Sequence, residues 1–330
     1  MDGILALAAD NLLSPIILFF ALGFAAALAR SDLSVPEAIA KGMSLYLLLA
    51  IGFKGGASLA DHGVELTLIL ALIAGVLLSF LLPLVAFALL RVLTGLPVVD
   101  AAAVAAHYGS ISIVTFVTAT SLLTTSGVDY EGYMVAVAAA MEAPAILSAL
   151  WLMARAGGDK AQAGAGMDAG LLREILLNGS IVLLIGAFAI GAVTGETGLA
   201  KIDAFIVAPF QGILCLFLLD MGLVAGRGLR NARGLLRPGL FAFGILMPLT
   251  GAVFGLGTGL ALGLSTGGVV LMMTLSASAS YIAVPAAIRV ALPEANPAIY
   301  LTLALGITFP FNLTLGIPLY MAVAQAFTGG

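Results

Sequence analysis

Apolar runs long enough to cross a bilayer fill nearly the whole chain, and this feature limits the fold more than any other. A membrane-spanning helix needs about 20 mostly apolar residues. Ten windows meet this requirement, and short loops rich in turn residues separate most of them. The windows are residues 14–30, 37–57, 65–91, 98–125, 130–155, 171–194, 203–226, 238–262, 266–292 and 296–327. The sequence therefore predicts an all-α membrane protein with ten transmembrane helices.

Composition excludes several other classes of protein. Only 9% of the residues are charged, against about 25% in a typical soluble domain, and 62% are hydrophobic. A net charge of -4 provides no basic face for nucleic acid. The single cysteine cannot form a disulfide within the chain, and two histidines are too few to indicate a metal cluster. An HExxH motif is absent, and we expect a protein that is not an enzyme and needs no cofactor.

The basic residues predict the orientation of the helices. Loops on the cytoplasmic side of a membrane carry an excess of Lys and Arg, and the loop after span seven contains Arg227, Arg230, Arg233 and Arg237. Alternation of the spans then places eleven of the 13 basic residues inside, leaving Lys54 and Lys201 outside. The others on the inside are Arg30, Lys41, Arg91, Arg155, Lys160, Arg173 and Arg289. We expect a multi-pass protein of the cell inner membrane with both termini external and no removable signal peptide.

The chain also divides into two halves of similar plan. The first repeat covers residues 1–155, a Gly/Ala-rich cytoplasmic linker covers 156–170, and the second repeat covers 171–330. Matching features lie a nearly constant 165 to 170 residues apart: Pro83 and Pro248, Pro144 and Pro310, Ser110 and Ser278, and Gly52 and Gly222. Each half has five spans, so the second enters the membrane from the opposite side. Such inverted repeats are typical of secondary transporters; chance similarity among apolar helices is the alternative.

Spans four and nine carry alternating serines, Ser110 and Ser112 in one and Ser276, Ser278 and Ser280 in the other. Residues two apart lie on different faces of a helix but on the same side of an extended segment. The pattern therefore predicts that both helices are broken, and Pro285 supports the break in span nine. The alternative is that these serines bond back to carbonyls of the preceding turn or ease helix packing.

Broken helices at membrane depth predict the substrate class. Each break exposes a half-helix N-terminus, whose free N–H groups and partial positive charge attract small anions. Neither break contains Lys or Arg. A divalent anion would ordinarily need an Arg fork or a compensating cation, so we expect a monovalent substrate.

A cation site is predicted around Glu142, which lies near the middle of span five. A carboxylate there costs about 2.5–3.5 kcal/mol and needs a cation, a proton or a polar cavity. Pro144 also leaves a backbone carbonyl without its helical donor. Thr308 and Asn312 occupy the matching stretch of span ten, so we expect sodium at Glu142, Thr308 and Asn312. A protonated Glu142 acting as a hydrogen-bond donor is the alternative.

Landmarks in the sequence resemble the SbtA family of sodium-dependent bicarbonate transporters over nearly the whole chain. They are SPIILFFALG, SLYLLLAIGFKGG, the span-four segment around Gly109, DYEGY, MEAPAI, STGGVVL, SASAS, LPEANPAIYL and GIPLY. The resemblance implies a homotrimer in which a core domain moves against a gate domain, with sodium near the bicarbonate. It implies a bicarbonate site on Gly109, Ser110, Ser112, Ser278, Ala279 and Ser280. It also implies a PII-like cytoplasmic regulator.

Two departures from the family pattern bear on these expectations. Cyanobacterial members have an aspartate after the span-nine serines, where this chain has Tyr281, and this change weakens the case for sodium or shifts it toward Glu142. The linker is shorter than in those members, which argues against the regulator. We therefore expect alternating-access import of a small monovalent anion, with sodium-coupled bicarbonate uptake as the leading assignment. Transport of a short monocarboxylate and a passive anion channel stay open.

Overall fold

Helices make up the described part of the chain, which contains no β-strand in the computed structural model. The structure describes residues 13–62, 65–142, 144–156, 179–231, 237–281, 284–285, 288 and 292–329. The helices of the N-terminal half are α1 (Pro15–Leu28), α2 (Glu37–His62), α3 (Leu66–Leu93), α4 (Val98–His107), α5 (Ile113–Thr125), α6 (Met134–Ala140) and α7 (Pro144–Ala156). Those of the C-terminal half are α8 (Gly179–Lys201), α9 (Asp203–Ile206), α10 (Phe210–Asn231), α11 (Pro238–Ala261), α12 (Thr266–Ala277) and α13 (Pro297–Thr328).

Six of the described helical segments are long and apolar enough to cross a membrane. They are Glu37–Ala60, Leu66–Leu93, Val182–Lys201, Asp203–Arg230, Pro238–Ala261 and Pro297–Thr328. The other predicted spans are shorter here: α1 has 14 residues, and spans four and five are each divided into two helices. Span nine is described mainly by α12, and most of the predicted linker at 156–170 lies outside the described residues. The total of ten spans therefore stays a prediction.

Prolines and capping side chains determine several helix ends. The Ser265 hydroxyl accepts a hydrogen bond from the Gly268 amide at 3.1 Å and so caps α12. α13 contains two π-helical turns, Ala304–Thr308 and Asn312–Gly316, and each ends two residues before a proline. A proline cannot donate to the carbonyl four residues earlier, and widened turns accommodate its ring within a continuous helix.

Two helix pairs pack backbone to backbone through glycine. α1 contacts α10 at Gly23, Gly222 and Gly226, where an added Cβ would collide with a carbonyl oxygen of the partner helix. α2 contacts α8 in the same way, through Gly52, Gly56 and Gly191 on the two helices. Small residues allow this close approach between helices in a membrane.

The centre of the molecule is formed by α4, α5 and α12. Every residue from Ala101 to His107 and from Gly267 to Ala277 is buried. Large apolar side chains are exposed instead on the surrounding helices, as at Leu77, Val193 and Val253. In a membrane protein such side chains face lipid, so the short central helices are shielded by protein.

Candidate functional site

The first helix break lies between α4 and α5, at the serines that the sequence singled out. α4 ends at His107, and α5 begins at Ile113 with the Ser112 hydroxyl accepting a hydrogen bond from the Thr115 amide at 3.2 Å. The first backbone bond of α5 runs from the Phe116 amide to the Ser112 carbonyl. The amides of Ile113 and Val114 precede it, so the positive end of the α5 dipole faces the break.

The second break begins where α12 ends at Ala277, and Ser278 has extended backbone angles. The Ser278 hydroxyl donates to the Leu275 carbonyl at 3.0 Å, which is the local bond that the alternative explanation predicted. The half-helix expected after this break falls mostly outside the described residues. The structure therefore describes one helix N-terminus at the site, that of α5.

Direct hydrogen bonds join the two breaks. The Ser112 amide donates to the Ser278 hydroxyl at 3.0 Å, and the Ser280 amide donates to the His107 carbonyl at 2.7 Å. His107 Nδ1 lies 2.5 Å from the Ser280 carbonyl. A carbonyl only accepts, so Nδ1 carries the proton, and the imidazole also stacks on Tyr300 with 4.6 Å between ring centroids. His107, at the end of α4, thus links the first break to the second through its side chain and its carbonyl.

Three buried serine and threonine hydroxyls around the breaks make no hydrogen bond within the described part of the chain. They are Ser110 Oγ, Thr115 Oγ1 and Ser276 Oγ. Buried polar groups are rarely left without a partner, so these atoms are the strongest candidates for contact with a ligand. The sequence pattern had identified Ser110 as a site residue. Ser276 belongs to the same alternating row as Ser278, whereas Thr115 shows its role only through its position in the first turn of α5.

Gly109 and Ala279 contribute space rather than polar groups. A Cβ added at Gly109 would collide with the Pro83 ring and the Ser79 carbonyl of α3. Gly109 therefore lets the first break approach α3 closely, and its missing side chain faces that helix. Ala279 is buried between the two serines of the second break.

Thr308 and Asn312, which both lie on α13, form hydrogen bonds to residues that flank the breaks. The Tyr108 hydroxyl donates to Thr308 Oγ1 at 2.7 Å, and Thr308 Oγ1 donates to the Gly244 carbonyl of α11 at 2.7 Å. Asn312 Nδ2 donates to the Ala277 carbonyl at 2.9 Å, and Asn312 Oδ1 accepts from the Tyr320 hydroxyl at 2.8 Å. Both side chains thus hold the residues that flank the breaks in place.

Glu142 lies in a separate interruption, between α6 and α7. Its side chain is buried, and Oε2 has no hydrogen-bond partner among the described residues. The Ser79 hydroxyl donates to the adjacent Met141 carbonyl at 2.5 Å, which ties this interruption to α3. Within the same residues no hydrogen bond joins Glu142 to Thr308 or Asn312, so the three predicted sodium ligands are not directly linked.

The chemistry of this arrangement is that of a reversible site for a weakly charged ligand. Hydroxyls, one helix N-terminus and the His107 imidazole surround the joined breaks. No Lys or Arg occurs in either break segment, Tyr108–Ser112 or Ser278–Ser280. Such groups hold an anion without an ion pair that would make its release slow.

Comparison with known proteins assigns the family. No curated protein matched the sequence. A family model described as the Na+-dependent bicarbonate transporter superfamily matches residues 15–325 of the 330. That match covers both helix breaks and every predicted site residue, in agreement with the resemblance seen in the sequence. The chain therefore belongs to the Na+-dependent bicarbonate transporter superfamily.

Proposed function

We propose that this protein imports bicarbonate by sodium-coupled alternating access, with the anion held between the two helix breaks. The observation that carries the proposal is the pairing of the breaks, with the unpartnered hydroxyls of Ser110, Thr115 and Ser276 buried around them. A transporter of this family has no need of catalytic chemistry, and none is proposed.

Charge and size favour bicarbonate as the substrate. The α5 N-terminus is equivalent to about half a positive charge, and the second half-helix predicted after Ser280 would supply a similar amount. Together they offset about one negative charge. Small Ser, Thr and Gly walls suit a small anion such as bicarbonate, whereas a dicarboxylate would bring a second charge that no basic residue of the break segments balances.

The glycine contacts support the inverted repeat of five plus five spans. Gly23 and Gly191, on spans one and six, lie 168 residues apart. Gly52 and Gly56 of span two correspond to Gly222 and Gly226 of span seven, at an offset of 170 in each case. The span-one contact with span seven therefore has its counterpart in the span-six contact with span two, as a pseudo-two-fold axis in the membrane plane requires.

Two cavities support alternating access. One, of about 180 Å³, is lined by Gln211 near the start of α10, and the other, of about 310 Å³, is lined by Val224 near its end. Thirteen residues of helix separate these positions, which corresponds to about 20 Å. Both cavities lie where α10 meets the helices around the breaks, so a relative movement there would open one side as it closes the other.

Sodium coupling is assigned to Glu142, with Thr308 and Asn312 as the corresponding positions of the second half. A sodium ion beside Glu142 Oε2 would neutralise a carboxylate buried in the middle of its span. The homotrimer and the PII-like regulator rest on the family resemblance. The orientation, with external termini and basic loops in the cytoplasm, rests on the positions of Lys and Arg.

Uptake of labelled bicarbonate into proteoliposomes, compared with protein-free vesicles, tests the assignment of the substrate. We expect saturable uptake that an excess of succinate or sulfate leaves unchanged. Labelled formate tests the short-monocarboxylate alternative: saturable transport of formate, without bicarbonate uptake, would replace bicarbonate as the substrate. Saturable transport of a divalent anion would contradict the charge argument.

A further inference from the structure

The cavity near the start of α10 is lined by a lysine, Lys54, that the proposed mechanism does not use. It lies between α2, α5, α10 and the segment that leads into α6. Its polar lining consists of Lys54, Ser58, Thr120, Ser121, Thr124, Tyr130 and Gln211. Lys54 Nζ lies 4.5 Å from the centre of the Phe210 ring, in a cation–π contact.

Lys54 has a different environment from the one that its position in the sequence indicated. A lysine near the end of a span usually extends to the lipid headgroups. α2 continues for eight residues beyond Lys54, to His62, so the side chain starts more than two turns inside the helix. It is half-buried and lines the cavity. The ammonium group therefore faces a space between helices.

Among the residues that the structure describes, no direct ion pair neutralises the charge of Lys54. No carboxylate oxygen of the described residues lies within 4.0 Å of Nζ, and Asp203 acts on it only through longer-range attraction. The aromatic face of Phe210 stabilises the cation partially. An anion that entered the cavity could accept hydrogen bonds from the Lys54 ammonium group, which carries three N–H donors.

Gln211 supplies a second donor beside Lys54. Its Nε2 donates to Ser121 Oγ at 2.6 Å and has another hydrogen available, because a side-chain amide carries two. The threonines of the wall are satisfied locally, as Thr120 and Thr124 donate to carbonyls of the preceding turn of α5. An added Cβ at Gly55 or Gly132 would collide with neighbouring atoms. The cavity therefore combines two donors with close walls, which suits a small anion.

The same helix connects this cavity with the breaks. Ser112 caps the start of α5, and Thr120, Ser121 and Thr124 line the cavity eight to twelve residues later, about 12–18 Å along the helix. The cavity at the other end of α10 has no charged residue in its lining, which is mostly aliphatic. The two cavities at the ends of α10 therefore differ in their attraction for an anion.

We infer that the cavity at Lys54 is a recruitment site for the transported anion, in which Lys54 and Gln211 bind it before it reaches the breaks. This inference rests on the proposed function for the identity of the anion, and on the cavity for the site itself. A small monovalent oxyanion is the class of ligand. Lys54 supplies the full positive charge that the breaks do not contain, and it raises the local concentration of the substrate.

Kinetics of Lys54→Met and Lys54→Arg test the role of the charge. Methionine keeps the length and the contact with Phe210, so we expect the fold to be retained and the KM for bicarbonate to rise about tenfold, as for a lost charged hydrogen bond. The maximal rate should change less than twofold, and Lys54→Arg should keep most of the affinity. Lys41→Met, on the exposed side of α2, is the matched control and should leave both parameters unchanged. An unchanged KM in Lys54→Met would overturn the inference.

Protection of Lys54 from acetylation tests the site without transport. The purified full chain is treated with a water-soluble acetylating reagent at constant pH, with sodium bicarbonate or sodium nitrate against sodium gluconate, and each lysine is read by mass spectrometry. We expect both small anions to protect Lys54 and to leave Lys41 unaffected. Protection by nitrate in a protein that does not transport bicarbonate would support the site while refuting the proposed substrate. Equal labelling of Lys54 in all salts, or a Lys54 that never reacts, would contradict a recruitment site open to water.

Discussion

Two buried serines show how single side chains distinguish the site from its surroundings. Ser110 and Ser148 are both fully buried, but the Ser148 hydroxyl donates to the Ala145 carbonyl at 2.9 Å, whereas Ser110 Oγ has no partner in the described structure. A hydroxyl that bonds within its own helix contributes to the fold. A hydroxyl that bonds to nothing contributes to stability only when a ligand or water meets it.

Ser110→Ala is therefore expected to affect transport more than stability. The variant removes no hydrogen bond within the described protein, so its melting temperature should match that of the wild type. Loss of one bond to the substrate, about 1 to 1.5 kcal/mol, should raise the KM for bicarbonate about five- to tenfold. Ser148→Ala, measured in the same uptake and melting experiments, should show the reverse pattern. An unchanged KM in Ser110→Ala would remove Ser110 from the site.

Glu142→Gln tests the assignment of the coupling cation. The amide keeps the shape and removes the negative charge, so we expect the sodium concentration for half-maximal uptake to rise at least about tenfold, because charged ligands dominate hard-cation sites. Asp220→Asn is the matched control, since Asp220 is also a buried carboxylate but lies on α10. If sodium dependence survives in Glu142→Gln and is lost in Asp220→Asn, the coupling site lies elsewhere.

At this scale the sequence predicted the polar break residues but not all their partners. Alternating serines identified Ser110 and Ser278 because only an extended segment places such residues on one side. The bonds of Thr308 and Asn312 to Gly244 and Ala277 could not be predicted, since they depend on how α13 packs against the centre. The direction of the Lys54 side chain could not be predicted for the same reason, because helix position alone does not show which neighbour a side chain contacts.

Among the elements, α8 contains two glycines in contrasting environments. Gly191 lies against the Phe53 carbonyl of α2. A Cβ added at Gly191 would lie 2.2 Å from the Phe53 carbonyl oxygen, which is well below a normal contact distance. A Cβ added at Gly186 would instead meet no neighbouring atom within 4 Å. The helix pair α2–α8 therefore depends on the absence of a side chain at Gly191 and not at Gly186.

Gly191→Ala is expected to destabilise the protein, and Gly186→Ala is not. Forcing a methyl group against the Phe53 backbone should cost about 1–3 kcal/mol, as in other overpacked interfaces. Gly186→Ala should be neutral or stabilising by up to about 1 kcal/mol, because alanine favours the helix. Thermal unfolding of both variants in the same detergent measures the difference. A more stable Gly191→Ala would mean that α2 and α8 do not pack as described.

Helix lengths account for most of the difference between the predicted and the observed elements. Hydropathy predicts one span over residues 98–125, whereas the structure divides it into α4 and α5. Apolarity alone cannot show such a division, because Tyr108, Gly109 and Ile111 fit an apolar helix as well as a break. The serine pattern and the prolines carried the information that hydropathy lacked.

For the whole molecule, the orientation in the membrane is predicted from the distribution of charge. The predicted ten spans would place Ser126 outside and Arg230 in the cytoplasm, and the positive-inside rule supports this prediction. Ser126 lies on the exposed turn after α5, and Arg230 lies in the last turn of α10. Both positions are therefore suited to chemical labelling from the water phase.

Cysteine labelling in intact cells tests the orientation. In a background with Cys215→Ala, which removes the single buried cysteine, Ser126→Cys should react with a membrane-impermeant maleimide and Arg230→Cys should react only after the membrane is opened. Reaction of both from the outside would mean that the spans were counted wrongly, and with them the inverted repeat.

Sodium-driven accumulation tests the central claim most directly. Proteoliposomes containing the purified wild-type chain are loaded without sodium and given labelled bicarbonate at constant pH, with or without an inward sodium gradient. We predict that bicarbonate accumulates above its outside concentration only with the gradient, and that an ionophore that dissipates sodium abolishes the accumulation. Bicarbonate flux that only equilibrates across the membrane, at the same rate with and without the sodium gradient, would contradict coupled transport and identify a passive pathway.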